Sequence, residues 1–324
     1  MLLLFMLSLE PEGRVTFQPG SAIHELDHEA LEKQMLRAYV AAGVTTVLDA
    51  VAYPEDLARL RELGETQPSP QILALGLPPS LPGSYAPSVL PDMPLVTDVP
   101  SLEAHLDRVA AEDVVGLKVL QEHGLVRDVW PVLEGDLAEA LVAGAEARHL
   151  PLFVHAMSGD EALEALELSP RALMHTPMRE DRKANTAIAE SGVFVVSTLN
   201  ISASALLEFQ PQLSSELAVL LVPAVLREAI LDPELQAASR IAAGKVAVPR
   251  APERLAARPI KPSVYEGMPA EMMDLDDRGS LEVGLRADLV VHSQDPRETT
   301  TAWQTPEFVV LGGELRTPAD WLSD

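Results

Sequence analysis

The stretch from Pro151 to Pro177 most constrains what this chain can fold into. It reads Pro151-Leu-Phe-Val-His155-Ala-Met-Ser158-Gly159, then Asp160 to Glu167 with Ala and Leu at helical spacing, then Ala172-Leu-Met-His175-Thr-Pro177. Two short apolar runs, each ending in a histidine, flank one helix, which is the strand, helix, strand unit of a parallel sheet. In a (β/α)8 barrel, side chains at the C-terminal ends of neighbouring strands converge on one mouth, so His155 and His175 are expected to face the same small volume. Two imidazoles there can hold a divalent metal; they can equally be hydrogen-bonded pocket histidines with no metal.

The same alternation runs through most of the 324 residues. Leu2 to Leu9 reads as a first strand, and a helix begins near Asp27 or His28 and stops at Gly43. Thr45 to Asp49 is a second strand, Glu55 to Leu63 a helix and Gln71 to Leu77 a third strand. Pro78 to Pro100 is a long proline-rich excursion containing Tyr85, either a pocket wall or a surface insertion. After a helix over Leu102 to Ala111, Val114-Val-Gly-Leu-Lys118-Val-Leu120 is a fourth strand interrupted by one lysine. An ammonium in such a run is costly unless paired, chemically altered or able to reach solvent at the strand end. A helix over Leu137 to Arg148 precedes the central unit, and a helix closing at Ser191 follows it. Gly192 to Thr198 is then a seventh strand, and Lys245 to Val248 a weak eighth. Helix-separated apolar strands favour a barrel over a doubly wound sheet. From about Arg278 the glycine-set runs Gly279 to Val291 and Phe308 to Leu315 have no helix between them and suggest a small antiparallel β-module. The expected domains are therefore a barrel over 1–277 and a β-module over 278–324.

Composition narrows the chemistry. Forty-nine acidic residues against 24 basic ones give a formal charge of −25, with no basic run to track phosphates, so nucleic acid is not an expected partner. The chain has no cysteine, which removes disulfides, thiolate ligands and a Cys nucleophile together. Met1 to Leu9 is too short to span a bilayer and lacks a basic n-region, so a cytoplasmic protein without membrane attachment is expected.

Taken in order, Ala42-Gly-Val-Thr-Thr-Val-Leu-Asp49, Gly116-Leu-Lys118, Val154-His155-Ala, Met174-His175-Thr and Gly279-Ser-Leu-Glu-Val-Gly-Leu-Arg-Ala-Asp288-Leu-Val-Val, followed by Gly312-Gly313, resemble the amidohydrolase superfamily in its imidazolonepropionase-like and prolidase-like branch. The resemblance implies a (β/α)8 barrel with a β-sandwich remnant. It also implies metal-dependent hydrolysis of a C–N bond, in an amide or cyclic amide of a small-molecule substrate, and leaves a homo-oligomer open. It makes Lys118, His155 and His175 metal ligands, with Lys118 a candidate for carboxylation and one zinc ion the expected cofactor. Tyr85, His123 and Asn200 are candidate substrate-pocket residues.

The departures from the pattern are specific. The family's H-x-H falls on Met6 and Ser8 if Leu2 to Leu9 is strand one; His24 and His28 offer a substitute pair, and surface histidines are the plain alternative. No aspartate stands in Gly244 to Pro252, where the family has its proton-accepting residue, so the catalytic base is not assigned. A barrel that binds a small ligand or a partner without hydrolysis is the alternative reading.

Overall fold

The computed structural model describes residues 28–90, 92–124, 129–175, 177, 181–196, 268–296, 298, 302 and 306–323. Leu2 to Leu9, Met6, Ser8, His24, Asn200 and Lys245 to Val248 lie outside them, and of His28 only the backbone is described. These residues fall into two compact units. One comprises the described parts of Leu48–Leu57 and Leu73–Leu199, the other those of Thr16–Val47, Ala58–Ile72 and Asn200–Asp324.

In chain order the elements are α1 (His28–Ala41), β1 (Thr46–Asp49), α2 (Pro54–Glu65), β2 (Gln71–Ala74), α3 (Tyr85–Val89), α4 (Val99–Ala110), β3 (Leu117–Leu120) and α5 (Asp136–Ala147). There follow β4 (Leu152–His155), α6 (Gly159–Glu167), β5 (Ala172–Leu173), α7 (Arg182–Ser191) and β6 (Phe194–Val195). The last part holds α8 (Met268–Met272), β7 (Leu289–Val291), β8 (Phe308–Leu311), β9 (Glu314–Arg316) and α9 (Pro318–Ser323).

Strands β3 to β6 form a parallel sheet in strict sequence order. β1 pairs with β2, and a parallel bridge from Gly76 to Leu117 carries the hydrogen bonding from the end of β2 onto β3. Such an order, with a helix between each pair of neighbours, is what successive βαβ units produce. The result is a mixed α/β fold with parallel strands and intervening helices. β3 is shorter than the apolar run Val114 to Leu120 because its first residues serve the other neighbour: Val115 N–H donates to Ala74 O before Leu117 N–H turns to Pro151 O. Of the run Gly192 to Thr198, only Phe194–Val195 is a strand among the described residues.

The alternation of side chains sorts β3 and β4 into two faces. Leu117 and Val119 of β3 and Leu152 and Val154 of β4 pack against Leu102, Leu106 and Val109 of α4 and Leu141 and Ala145 of α5. The opposite face carries Lys118 paired with Phe153, and Leu120 paired with His155. The helices on the first face start where their caps dictate. Asp98 accepts Ser101 N–H at 2.9 Å, with Pro100 in the first turn, and Ser158 accepts Glu161 N–H at 3.2 Å.

Gly116 shows how tightly this layer is built. A Cβ at that position would lie 2.6 Å from the Pro151 carbonyl and 2.7 Å from the Phe153 ring. The obstacle is the backbone of β4, which cannot yield without breaking the Leu117 to Pro151 bond. Gly116→Ala is therefore expected to lose about 1–3 kcal/mol as an overpacked site, read as a lower urea midpoint at an unchanged slope. An unchanged midpoint would show that β3 and β4 can separate here at no cost.

In the other unit, β7, β8 and β9 form the expected antiparallel sheet. Its motif has a local cause. Gly312 and Gly313, with φ of 58° and 91°, make the two-residue turn between β8 and β9, where both central residues need positive φ. Asp288 accepts Gly312 N–H at 2.7 Å, and Gly313 N–H donates to Ala287 O at 2.9 Å. The strand is shorter than expected at its start: Gly279 to Ala287 is irregular, with a turn at Val283 and Gly284, and β7 begins at Leu289. Val40 and Ala41 of α1, Val309 of β8 and Trp321 of α9 form the core of this unit, and Trp321 Nε1–H donates to Val309 O. α9 was not legible in the sequence, nor was α3 inside the proline-rich excursion.

Candidate functional site

The site lies wholly within the unit that contains β3 to β6. His155 closes β4, is buried, and its ring centroid stands 4.5 Å from that of His175 at an interplanar angle of 84°. Strict alternation would send His175 to the helix side with Leu173. β5 ends at Leu173, however, and the chain bends through Met174 and His175, with Met174 N–H held by Val154 O. That bend brings the second ring edge-on to the first.

Lys118 arrives from β3 on the same face as His155. It is 3% exposed, and no hydrogen bond or ion pair of its ammonium is found among the described residues. Burial pushes its pKa down to about 7. Burial likewise pushes His155 down to about 3, with the Lys118 charge adding to the effect. His175 falls to about 3 for the same reason, helped by the charges of His155 and Lys118. The mutual influence places all three groups in one small volume. Both histidines are neutral at pH 7, and a neutral imidazole carries one nitrogen lone pair of the kind that bonds a cation or accepts a proton.

An aromatic wall borders them. Tyr85, on the short α3, stacks on His155 with centroids 5.8 Å apart and 23° between planes, and Trp130 meets Tyr85 at 4.9 Å. Burial and the neighbouring Glu122 push the Tyr85 phenol up, so it stays protonated as a donor. The proline-rich excursion thus contributes a wall to this site. His123 is placed differently: its ring is turned to Glu164 on α6 at the surface, and it makes no ring contact with the histidine pair.

Two residues that sequence reading missed complete the surroundings. Glu122 is 4% exposed, and its Oε2 lies 3.1 Å from His155 Nε2. It continues the face of Lys118 and Leu120 two residues past the end of β3, the only local signal for it. Glu161 is also buried; its Oε2 accepts Met157 and Ser158 N–H, and its Oε1 accepts His123 N–H. The Ser158-x-x-Glu161 capping box was the available signal.

The donor set can be tested against a metal. Among the described residues, no three His, Asp or Glu side chains stand together in an arrangement that holds an ion. Two neutral imidazoles with centroids 4.5 Å apart are near enough for one ion with bonds of ~2 Å to reach both. An amine that gives up its proton near neutrality adds a third nitrogen. By chemical type, two imidazoles and an amine are donors suited to a borderline divalent ion.

No protein-family model and no curated protein matches the sequence. Solved structures do. A Xaa-Pro dipeptidase with methionine bound in its active site is 17% identical, with a TM-score of 0.64 over 89% of this chain and 79% of that one. A prolidase complexed with N-methylphosphonate-L-proline is 21% identical, with a TM-score of 0.59 over 92% and 80%. Phenylurea hydrolase B is 16% identical, with a TM-score of 0.59 over 95% and 82%. The chain therefore has the fold of prolidase-like and amidohydrolase-type hydrolases. No helix among the described residues is long and apolar enough to cross a membrane.

Proposed function

We propose that this chain is a metal-dependent hydrolase of the amidohydrolase superfamily, acting on the C–N bond of an amide or cyclic amide in a small molecule, with its sequential strands belonging to a (β/α)8 barrel. The observation that carries the reading is the convergence of Lys118 from within β3, His155 from the end of β4 and His175 from the bend after β5, all desolvated. The names of the similar structures, a dipeptidase, a prolidase and a phenylurea hydrolase, support a C–N bond as the target.

His155, His175 and Lys118 would hold one divalent ion, zinc being the best match to nitrogen donors. When bound, such an ion polarises a carbonyl and makes a coordinated water more acidic. The chain's own residues do the rest. Burial keeps both imidazoles unprotonated, so neither repels a cation. The same burial supplies Lys118 as the free amine, the form that carboxylation requires: its nitrogen would bond to the carbon of CO2 and release a proton. Tyr85 and Trp130 present apolar ring faces that exclude water from one side of a substrate and hold its flat or aliphatic part. Tyr85 also carries a hydroxyl that stays protonated as a donor.

The test combines metal content and turnover. Protein loaded with zinc(II) is expected to retain about one equivalent and to hydrolyse at least one of a set of Xaa-Pro dipeptides, cyclic amides and phenylureas. His155→Ala is expected to lose the metal and at least ~100-fold in kcat/KM. Absence of both retained metal and turnover would overturn this reading in favour of a ligand-binding barrel.

A further inference from the structure

We infer that Glu122 is a positioning residue for His155: its Oε2 accepts the Nε2–H of the imidazole and so leaves Nδ1 as the ring's single lone pair. The inference deepens the proposed function, because it names the atom that His155 would present, but its geometry stands without any metal.

Three observations support it. First, the His155 Nε2 to Glu122 Oε2 separation is 3.1 Å, and both residues are buried, so water does not compete for either partner. Second, Glu122 is itself held. Its Oε1 receives Gly124 N–H at 3.3 Å, and a hydrogen bond joins Glu122 to the Glu161 side chain, for which one of the two acids carries the proton. Burial raises the Glu122 carboxyl, whereas Glu161 accepts three backbone donors, so the proton belongs to Glu122. Third, Glu161 is locked by three backbone donors from two loops, Met157 and Ser158 after β4 and His123 after β3, at 2.8 to 2.9 Å. The carboxylate that caps α6 is thereby the anchor of a chain that runs Glu161, Glu122, His155. A histidine that binds a cation through one nitrogen needs its other nitrogen tied to an acceptor, which fixes both tautomer and ring rotation.

A stacked Tyr85 restrains the plane of the His155 ring, but stacking is blind to which nitrogen carries the proton. Glu122 supplies that missing selection. The segment after β3 is tied to β4 by Gln121 N–H donating to His155 O at 3.0 Å, so acceptor and imidazole are placed by adjacent strands rather than by a free loop.

The experiment reads the tautomer directly. Long-range proton–nitrogen correlation spectra of the imidazole rings are recorded at pH 7 on chelator-treated full-length protein, with His155→Asn used for assignment. Wild type is expected to show His155 in the Nε2–H form. Glu122→Gln is expected to keep it, because an amide oxygen also accepts, whereas Glu122→Leu should give a mixture of tautomers. Zinc(II) titration is then expected to show about a 10–100-fold weaker Kd for Glu122→Leu, with Glu122→Gln close to wild type. A wild-type His155 in the Nδ1–H form, or a Glu122→Leu spectrum identical to wild type, would overturn the inference. If Glu122→Leu proves unfolded by circular dichroism, the wild-type and Glu122→Gln spectra decide alone. A wild type with the expected tautomer but no affinity for zinc would sink the metal reading and leave the positioning role standing.

Discussion

Replacing Lys118 with methionine is expected to abolish turnover while making the folded protein more stable at neutral pH. Both results come from the same burial. In the unfolded chain the amine titrates near 10.5, and in the folded protein near 7. Between those values the unfolded state binds more protons, so wild-type stability rises as pH climbs from 7 towards 10.5. Below 7 the penalty is fully present and constant. A displacement of that size corresponds to on the order of 4 kcal/mol at pH 7. Methionine has a similar length and no charge, so Lys118→Met recovers part of that amount, roughly 2–4 kcal/mol. The gain should shrink with rising pH and vanish near pH 10.5. Urea unfolding of both proteins from pH 6 to 10.5 measures it. A difference that stays flat across that range would mean that Lys118 reaches solvent in the folded state.

The second large effect concerns acid. His155 and His175 sit near 3 in the folded protein and near 6.5 when unfolded. As pH falls below 6.5 the unfolded chain takes up two protons that the folded protein refuses, and stability drops until pH reaches about 3. Each histidine contributes up to about 1.4 kcal/mol per pH unit across that window. Domains of this kind hold only ~5–15 kcal/mol in total, so two such groups bring acid unfolding within reach between about pH 5 and 3. Asp49 and Glu122 act in the opposite sense. Burial raises their carboxyls, which favours the folded state as pH falls through their raised values. The expected result is an acid transition with net uptake of about two protons, moved to lower pH by roughly one unit in His155→Asn/His175→Asn. Potentiometric and fluorescence titrations follow the two quantities separately. An unmoved midpoint in the double variant would show that other groups drive the transition.

How much of this was legible in the sequence depended on the range of the interaction. Strand and helix order could be read because apolar runs and caps are local, and His155 fell on the correct face because it sits inside a regular strand. His175 was found by its place in the motif. Periodicity alone would have turned it towards the helices, since the bend after Leu173 is set by where β5 stops pairing. Glu122 was missed because it lies beyond the last residue of β3, where the pattern of a strand no longer guarantees direction. Its value comes from a partner 33 residues away. Of the aromatic wall, Tyr85 was a pocket candidate in the sequence, whereas Trp130 was not, because a contact across 45 positions leaves no trace in local composition. His123 carried the right chemistry for a pocket, yet a carboxylate on α6 claims its ring at the surface.

The sequential order of the parallel strands also bears on how such a chain reaches its native state. From β3 to β6 every strand hydrogen-bonds to the next one synthesised, with one helix in between, so no pairing has to wait for a distant segment. Closing loops of that length carries a modest entropy penalty that grows only slowly with length. A unit of this kind can grow by adding one strand and helix at a time to an existing edge, and the growing sheet exposes one open edge at each stage. A translation pause after β4 would leave His155 and Lys118 already adjacent, while His175 would still await the bend that follows β5. The pocket would thus assemble in the order in which its residues are made.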